Sequence, residues 1–314
     1  VCANGAQYRK GRAWFLARNL WRKSMYERKI YKRKMLDAKQ EYEASQTLDV
    51  QKRISRYNNF QMARKIQLNS AYGAIGNEYF RYYKLANAEA ITLSGQVSIR
   101  WIENKINQYL NKTLSTEGED YVIASDTDSI YLNMGPLVSK FFANKSGDKA
   151  AIVRILDKIC QEKLEPFIES SYQELADYVS AYEQKMIMKR ENIADRGIWT
   201  AKKRYILNVW NSEGVAYKEP KMKIMGLETA RSSVPQFFRD RLKESFTVLI
   251  MSSDNDTVID FIAKCKQETR KANIADVAFP RGCNNVANYT HPPTIYKKGC
   301  PIHVRGSLLY NHYI

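Results

Sequence analysis

The sequence predicts an α+β fold, and three observations carry that prediction. One long stretch, 14–44, is highly charged and nearly free of glycine and proline, so it reads as a helix, and a second helix runs over 51–72. Short apolar runs, Tyr121-Val122-Ile123-Ala124 and Ile130-Tyr131-Leu132, flank the polar turn Asp126-Thr127-Asp128-Ser129, which is the pattern of a strand hairpin. Further strand-like runs follow helical patterns in the second half of the chain, so helices pack behind an antiparallel sheet.

Taken in order, the first helix ends at the break Thr47-Leu48-Asp49, and the second begins near Gln51. A short turn between two long helices makes them an antiparallel hairpin. Gly73 and Gly76 mark the end of the second helix. A third helix covers 87–110, where Ile91, Val97, Trp101, Ile102, Ile106 and Leu110 form a rough 3.6-residue stripe expected to be core. Helical patterns resume over 149–180. Strands are expected at Lys185-Met186-Ile187-Met188, at Tyr205-Ile206-Leu207-Asn208-Val209-Trp210, and, after the turn Glu213-Gly214, at Val215-Ala216-Tyr217. Beyond Val234 the pattern is helical again. There is no internal repeat and no low-complexity tract.

Two clusters carry chemistry. Asp126 and Asp128 are two apart, which on a strand puts both carboxylates on one side. Adjacent carboxylates repel unless they share a cation, and a divalent metal is such a partner. An Asp-Thr-Asp triplet is also a common polar turn, so the pair alone does not decide the matter. The second cluster is Lys65-Ile66-Gln67-Leu68-Asn69-Ser70-Ala71-Tyr72-Gly73. Lys65, Asn69 and Tyr72 fall at i, i+4 and i+7 and share one helix face. A cation, an amide and a phenol there suit a nucleoside triphosphate, although an ordinary amphipathic helix has the same look.

Charge narrows the class of partner. The 314 residues hold 50 Lys+Arg against 33 Asp+Glu, a net charge of +17, and residues 1–73 carry 17 Lys+Arg against 5 Asp+Glu, which is +12 of that total. A polyanion is the simplest partner for so basic a segment. No run approaches the roughly 18–20 apolar residues of a membrane span, and no signal-peptide pattern opens the chain. Five scattered cysteines, Cys2, Cys160, Cys265, Cys283 and Cys300, read as reduced thiols in a cytoplasmic setting. Cys300-x2-His303 has the spacing of a zinc pair, but Cys283-x7-His291 is too loose to complete a knuckle. The chain opens on Val1-Cys2 without Met, which reads as an excerpt or a processed product.

Lys-x3-Asn-Ser-x-Tyr-Gly followed by Asp-Thr-Asp-Ser resembles motifs B and C of the family B DNA polymerases, in order and in separation. Within that family the chain is similar to the replicative polymerases of T-even-type tailed phages. Arg28-Lys29-x2-Lys32 looks like the basic fingers helix facing motif B. Gly197-Ile198-Trp199-Thr200-Ala201-Lys202-Lys203-Arg204-Tyr205 looks like the element that holds primer DNA. Lys223-Ile224-Met225-Gly226-Leu227-Glu228-Thr229 and Cys300-Pro301-Ile302-His303-Val304-Arg305-Gly306 resemble later segments of the same enzymes.

The resemblance implies a right-hand polymerase: helical-hairpin fingers over 1–77, a palm with an antiparallel sheet backed by helices over 78–234, and the start of an incomplete helical thumb over 235–314. It implies template-directed nucleotidyl transfer with two Mg2+ ions, held by Asp128 as the bridging ligand with Asp126 and, further off, Glu191. Arg28, Lys32 and Lys65 would neutralise the triphosphate. Asn69 and Tyr72 would border the new base pair, and Gly73 would lie against DNA. Lys202, Lys203, Arg204 and Tyr205 would hold the primer end, with Lys203 and Tyr205 alternating onto one strand face. A basic edge strand explains the last group equally well without the resemblance.

The pattern also departs from the family. Ala124-Ser125 stand where the phage enzymes carry Tyr-Gly, and Lys189 stands where they carry an acidic residue. Motif A, which supplies another metal-bridging Asp, is not found, nor is a 3′–5′ exonuclease. The expectation is therefore a carboxyl-terminal fragment or one polypeptide of a split enzyme, inactive and poorly folded alone. Its partners would be primer-template DNA, deoxynucleoside triphosphates, a polypeptide carrying motif A and the exonuclease, and a sliding clamp, in a host cytoplasm and without a membrane. Two other readings compete. One is a catalytically inactive nucleic-acid-binding remnant, against which the retention of Asp126, Asp128 and Lys65 together speaks. The other is a reverse transcriptase or RNA polymerase of right-hand shape, against which the Lys65–Gly73 helix speaks.

Overall fold

The computed structural model describes residues 1–8, 21–142, 148–252 and 254–314, and within them the chain is α+β. Its elements run α1 (Arg22–Ala44), α2 (Leu48–Ile75), α3 (Leu85–Leu114), β1 (Val122–Asp126), β2 (Ser129–Leu132), α4 (Gly135–Phe142), α5 (Lys149–Ile159), α6 (Glu165–Tyr178), β3 (Asn192–Ala201), β4 (Arg204–Ser212), β5 (Val215–Met225), α7 (Gln236–Met251), α8 (Asn255–Lys271), the single turn α9 (Ile274–Val277) and α10 (Ile302–Tyr313). The expected start of the first helix, near Trp14, lies outside the described residues.

The helical hairpin forms as the sequence predicts. Thr47 caps α2, its side chain accepting a hydrogen bond from the amide of Val50. Ser24 meets Gln67, Glu27 pairs with Arg64, the rings of Tyr31 and Phe60 lie 5.0 Å apart, and Glu41 pairs with Arg53. Partners move back along α2 as α1 advances, so the two helices are antiparallel. α2 runs through Gly73 to Ile75, so only Gly76 stands at its end.

By contact the chain divides into two compact units. One comprises Val1–Arg196 with Asn208–Lys221, and the other Gly197–Leu207 with Met222–Ile314. In the first, α3 and α6 build the core with the β1–β2 hairpin: Ile102, Ile106, Leu110 and Leu114 pack with Tyr121, Val122, Ile168, Tyr172 and Leu175. Burying such aliphatic side chains stabilises by about 1.5–3 kcal/mol each. The amino-terminal half of the expected α3 stripe behaves otherwise, because Ile91 and Val97 are exposed. Between α5 and α6 the helix widens into one π turn, Cys160–Leu164, where Pro166 has no amide to donate to the ladder.

The sheet holds two corrections. β3 was not expected, since Asn192–Ala201 is polar and contains Gly197. The run Lys185–Met188, expected as a strand, is irregular. The side-chain amide of Gln184 takes both backbone groups of Met186, bonding its carbonyl at 2.8 Å and also its amide, so a ladder is not needed there. Strand order is β3-β4-β5, joined by the two-residue turns Lys202-Lys203 and Glu213-Gly214. In the second unit, Ile206, Leu227 and Ile250 form a core with Phe246 and Ile198, and Cys300, Val304 and Leu308 form another at the carboxyl end.

Candidate functional site

The Asp pair sits on a hairpin that α3 anchors. The side-chain oxygen of Asn107 accepts from the amides of Tyr121 at 2.9 Å and Val122 at 3.2 Å, and its amide nitrogen donates to Asp120 at 2.8 Å. The Tyr121 hydroxyl meets Thr116 at 2.8 Å. From this base β1 pairs with β2 in the register Ala124 to Tyr131, Ser125 to Ile130 and Asp126 to Ser129. That register leaves Thr127-Asp128 as a two-residue turn.

The turn changes the reading of the carboxylates. Asp126 ends a strand, but Asp128 stands in the turn, so strand alternation does not place them together. The turn links the two residues through the backbone. The Asp128 amide donates to the Asp126 carbonyl at 2.6 Å, and the Ser129 hydroxyl donates to the same carbonyl at 3.2 Å. Thr127 takes a left-handed φ of 57°, and its hydroxyl donates to the Asp126 carboxylate at 3.0 Å. A β-branched residue in that region costs on the order of 1–3 kcal/mol, a kind of strain that clusters at functional turns. Asp126 is half-buried and Asp128 exposed.

Behind the turn lies a residue that the sequence did not single out. Tyr172 on α6 is buried at 4% exposure. Burial, and then the nearby Asp128 carboxylate, push its hydroxyl up to about 12. Its only sequence signal is a place on an apolar helix face, which any core tyrosine shares.

Glu191 does not join the Asp pair. Among the described residues no group of three or more His, Cys, Asp or Glu could hold a metal ion. Glu191 is exposed, and its carbonyl accepts from the amide of Glu213 at 2.6 Å. The buried member of that segment is Arg190, whose guanidinium donates to Asp157 at 2.9 Å and to Asn211 at 2.7 Å.

On the helical hairpin the candidate residues share one side. Arg28 and Lys32 each follow a contact residue of α1, Glu27 and Tyr31, and Lys65 and Asn69 each follow a contact position of α2, Arg64 and Leu68. Each is therefore turned about 100° from the interface in the same sense. In an antiparallel pair, related by a twofold axis normal to the plane of the two helices, those flanks fall on the same side. Lys65 and Asn69 are exposed, and Tyr72 is half-buried. The Nε of Arg28 is buried and makes no hydrogen bond.

Lys32 points along that side to the β4–β5 turn, where it pairs with Glu213. Two further contacts follow along α1. The Gln40 side chain accepts from the Ala216 amide at 3.0 Å, and Glu43 pairs with Lys221. Sequence reading missed Glu213 because the partners are far apart in the chain and a Glu-Gly turn has no local mark of such a role.

In the second unit, Lys202 and Lys203 form the exposed β3–β4 turn, with Lys203 at φ 63°. The expected sharing of a face by Lys203 and Tyr205 does not hold. Lys203 is outside the strand, and Tyr205 is buried, its ring 6.2 Å from that of Trp199. Arg204 does not present itself to a ligand alone: its Nη2 donates to both carboxylate oxygens of Glu228, at 2.7 and 2.8 Å.

Asp126 and Asp128 offer hard oxygen donors without thiolate or imidazole, which suits Mg2+. The basic side of the helical hairpin offers donors for phosphate.

Residues 10–158 match the family model described as DNA polymerase family B. The chain is 41% identical over 262 residues to the DNA-directed DNA polymerase of Escherichia phage RB69, and 38% identical over 270 residues to that of Enterobacteria phage T4. These alignments cover 81% and 83% of this chain, but it spans only 29% and 30% of the length of those relatives.

Proposed function

Since the chain belongs to DNA polymerase family B, carrying that family's match over residues 10–158, we propose that it takes part in template-directed DNA synthesis, supplying the motif C carboxylates and the triphosphate-binding helices. The observation that supports this reading is the strained turn at which Asp126 and Asp128 both stand, in a chain whose helical hairpin has Arg28, Lys32, Lys65 and Asn69 on one side.

Each residue then has a role. Asp126 and Asp128 would hold Mg2+ ions. When bound, these ions supply charge neutralisation and activate the primer 3′-hydroxyl. Arg28, Lys32 and Lys65 draw in the triphosphate and neutralise its charge through charge-assisted hydrogen bonds. Asn69 and Tyr72 border the nascent base pair, and Gly73, with no side chain, lets DNA approach the helix. Lys202 and Lys203 grip the duplex backbone, which fixes register without reading sequence. Glu191 stays apart from the Asp pair, so its role is at most an outer one.

The carboxylate set is completed from another segment or polypeptide. Residues 9–20, 143–147 and 253 contain no Asp or Glu, so they cannot supply a third carboxylate. The same source would carry motif A, and its strand would cover the β1–β2 sheet, which has two strands among the described residues. Primer-template DNA and deoxynucleoside triphosphates are the substrates, and a sliding clamp is a further partner. No helix among the described residues is long and apolar enough to cross a membrane.

The test is single-nucleotide incorporation by this chain mixed with a polypeptide bearing a motif A segment. Addition of the nucleotide complementary to the template base is expected. Equal addition of all four nucleotides would contradict template direction.

A further inference from the structure

The Lys202-Lys203 turn is held from outside its own hairpin. β5 ends at Met225, and the chain then passes Gly226 at φ +68° directly against the turn. A Cβ on Gly226 would stand 2.1 Å from the Lys203 carbonyl oxygen and 3.1 Å from its carbon. No side chain fits in that space, and the left-handed backbone favours glycine on its own account. Two residues later Glu228 opens a 3-10 turn and takes Arg204 Nη2 on both oxygens. Arg204 is the residue immediately after Lys203. The Thr200 hydroxyl also donates to the Arg204 carbonyl, at 3.3 Å. The turn is thus fixed on three sides: by Thr200 from β3, by Gly226 from below and by Glu228 through Arg204.

The carboxylate is kept charged for this task. A hydrogen bond from its own backbone amide, opposed by burial and then aided by Arg204, holds Glu228 below the usual carboxylate range. A carboxylate beside two exposed lysines that contact a polyanion would by itself repel that polyanion. Its place here makes sense if it acts on the protein.

We propose that Glu228 and Gly226 are positioning residues for the DNA-gripping turn, setting Lys202 and Lys203 through Arg204, and that Arg204 itself is not a phosphate contact. This rests on the reading of the turn as a DNA contact. It also goes beyond that reading, because it reverses the sign expected for removing a negative charge.

The test is anisotropy of a labelled primer-template duplex across a KCl series, using the 314-residue chain mixed with the motif A-bearing polypeptide and checking each variant's melting temperature. Glu228→Gln should weaken binding about three- to tenfold and reduce the slope of log affinity against log salt by about 1, one lost phosphate contact. Gly226→Ala should do the same. Glu228→Gln added to Lys203→Ala should cost no more than the weaker of the two alone. The exchange Arg204→Glu with Glu228→Arg should restore the slope. Affinity equal to or above wild type in Glu228→Gln would overturn the proposal, because that is the response if the carboxylate merely repels phosphate or occupies a DNA-binding arginine. A lowered melting temperature with an unchanged slope would overturn it too, reducing the pair to a structural one. If Lys202→Ala and Lys203→Ala themselves leave the slope unchanged, the turn is not a DNA contact and the underlying reading fails instead.

Discussion

The ammonium of Lys32 on α1 is paired with the carboxylate of Glu213 at the tip of the β4–β5 turn. The pair stands on the side of the helical hairpin where the triphosphate would be received. In the proposed reading Lys32 would have to leave one anion to meet another, and Glu213 would compete with the nucleotide.

The first prediction follows from that competition. A partly exposed ion pair is worth about 0.2–1 kcal/mol. Glu213→Gln should tighten nucleotide binding by up to about fivefold by that measure. Lys32→Ala should weaken it. Nucleotide titration of the assembled enzyme on primer-template decides this, and an unchanged affinity in Glu213→Gln would show that Lys32 does not have to leave its partner.

Lys65→Ala and Arg28→Ala should each impair use of the incoming nucleotide more than binding of primer-template. A charge-assisted hydrogen bond is worth about 1.5–3 kcal/mol, so a loss of roughly 10- to 100-fold in nucleotide efficiency is expected. A loss confined to DNA affinity would make them backbone contacts.

Asn107→Ala should destabilise the first unit, since it leaves the Tyr121 amide without its acceptor and the Val122 amide with Asp120 alone. The expected cost is about 1–3 kcal/mol, read as a lower urea midpoint. An unchanged midpoint would show that the hairpin does not depend on its anchor to α3.

Stability should also fall in alkali. Tyr172 is pushed from its ordinary 10.0 up to about 12 in the folded chain. Its contribution is whole below pH 10.0 and is lost as the pH rises to about 12, because the unfolded state gives up the proton first. Tyr172→Phe should flatten the curve in that window, and Asp128→Asn should shift its upper edge down. Denaturant titrations between pH 9 and 12 measure both. An equal slope in Tyr172→Phe would place the alkaline sensitivity elsewhere, with Cys160 the next candidate, since burial first, then Asp157 and Glu165, against Arg190, push its thiol up to about 11.

Much of the architecture could be read from the sequence because it is written in local patterns. Charge without glycine or proline marks α1, and two apolar runs around a polar turn mark β1 and β2. What could not be read depends on contacts distant in the chain. Nothing local in Asn192–Ala201 forecasts a strand, and nothing near Gln184 forecasts that its amide replaces a ladder. The pairing of Lys32 with Glu213 and of Arg204 with Glu228 redirects two cations that composition alone offers to phosphate. Tyr205 is similar: its place beside Lys203 in the sequence suggests a shared role, but it lies buried in the sheet.

The central claim is that Asp126 and Asp128 carry metal-borne chemistry, and Asp128→Ala tests it most directly. Wild-type and variant chains should be mixed with the same motif A-bearing polypeptide, and primer extension and duplex affinity measured side by side. The account predicts that extension is abolished in the variant while duplex affinity changes little, because phosphate contacts lie on other residues. It also predicts no extension by the wild-type 314 residues without the second polypeptide. Near-normal extension by Asp128→Ala would contradict the assignment of the carboxylate pair and the function built on it.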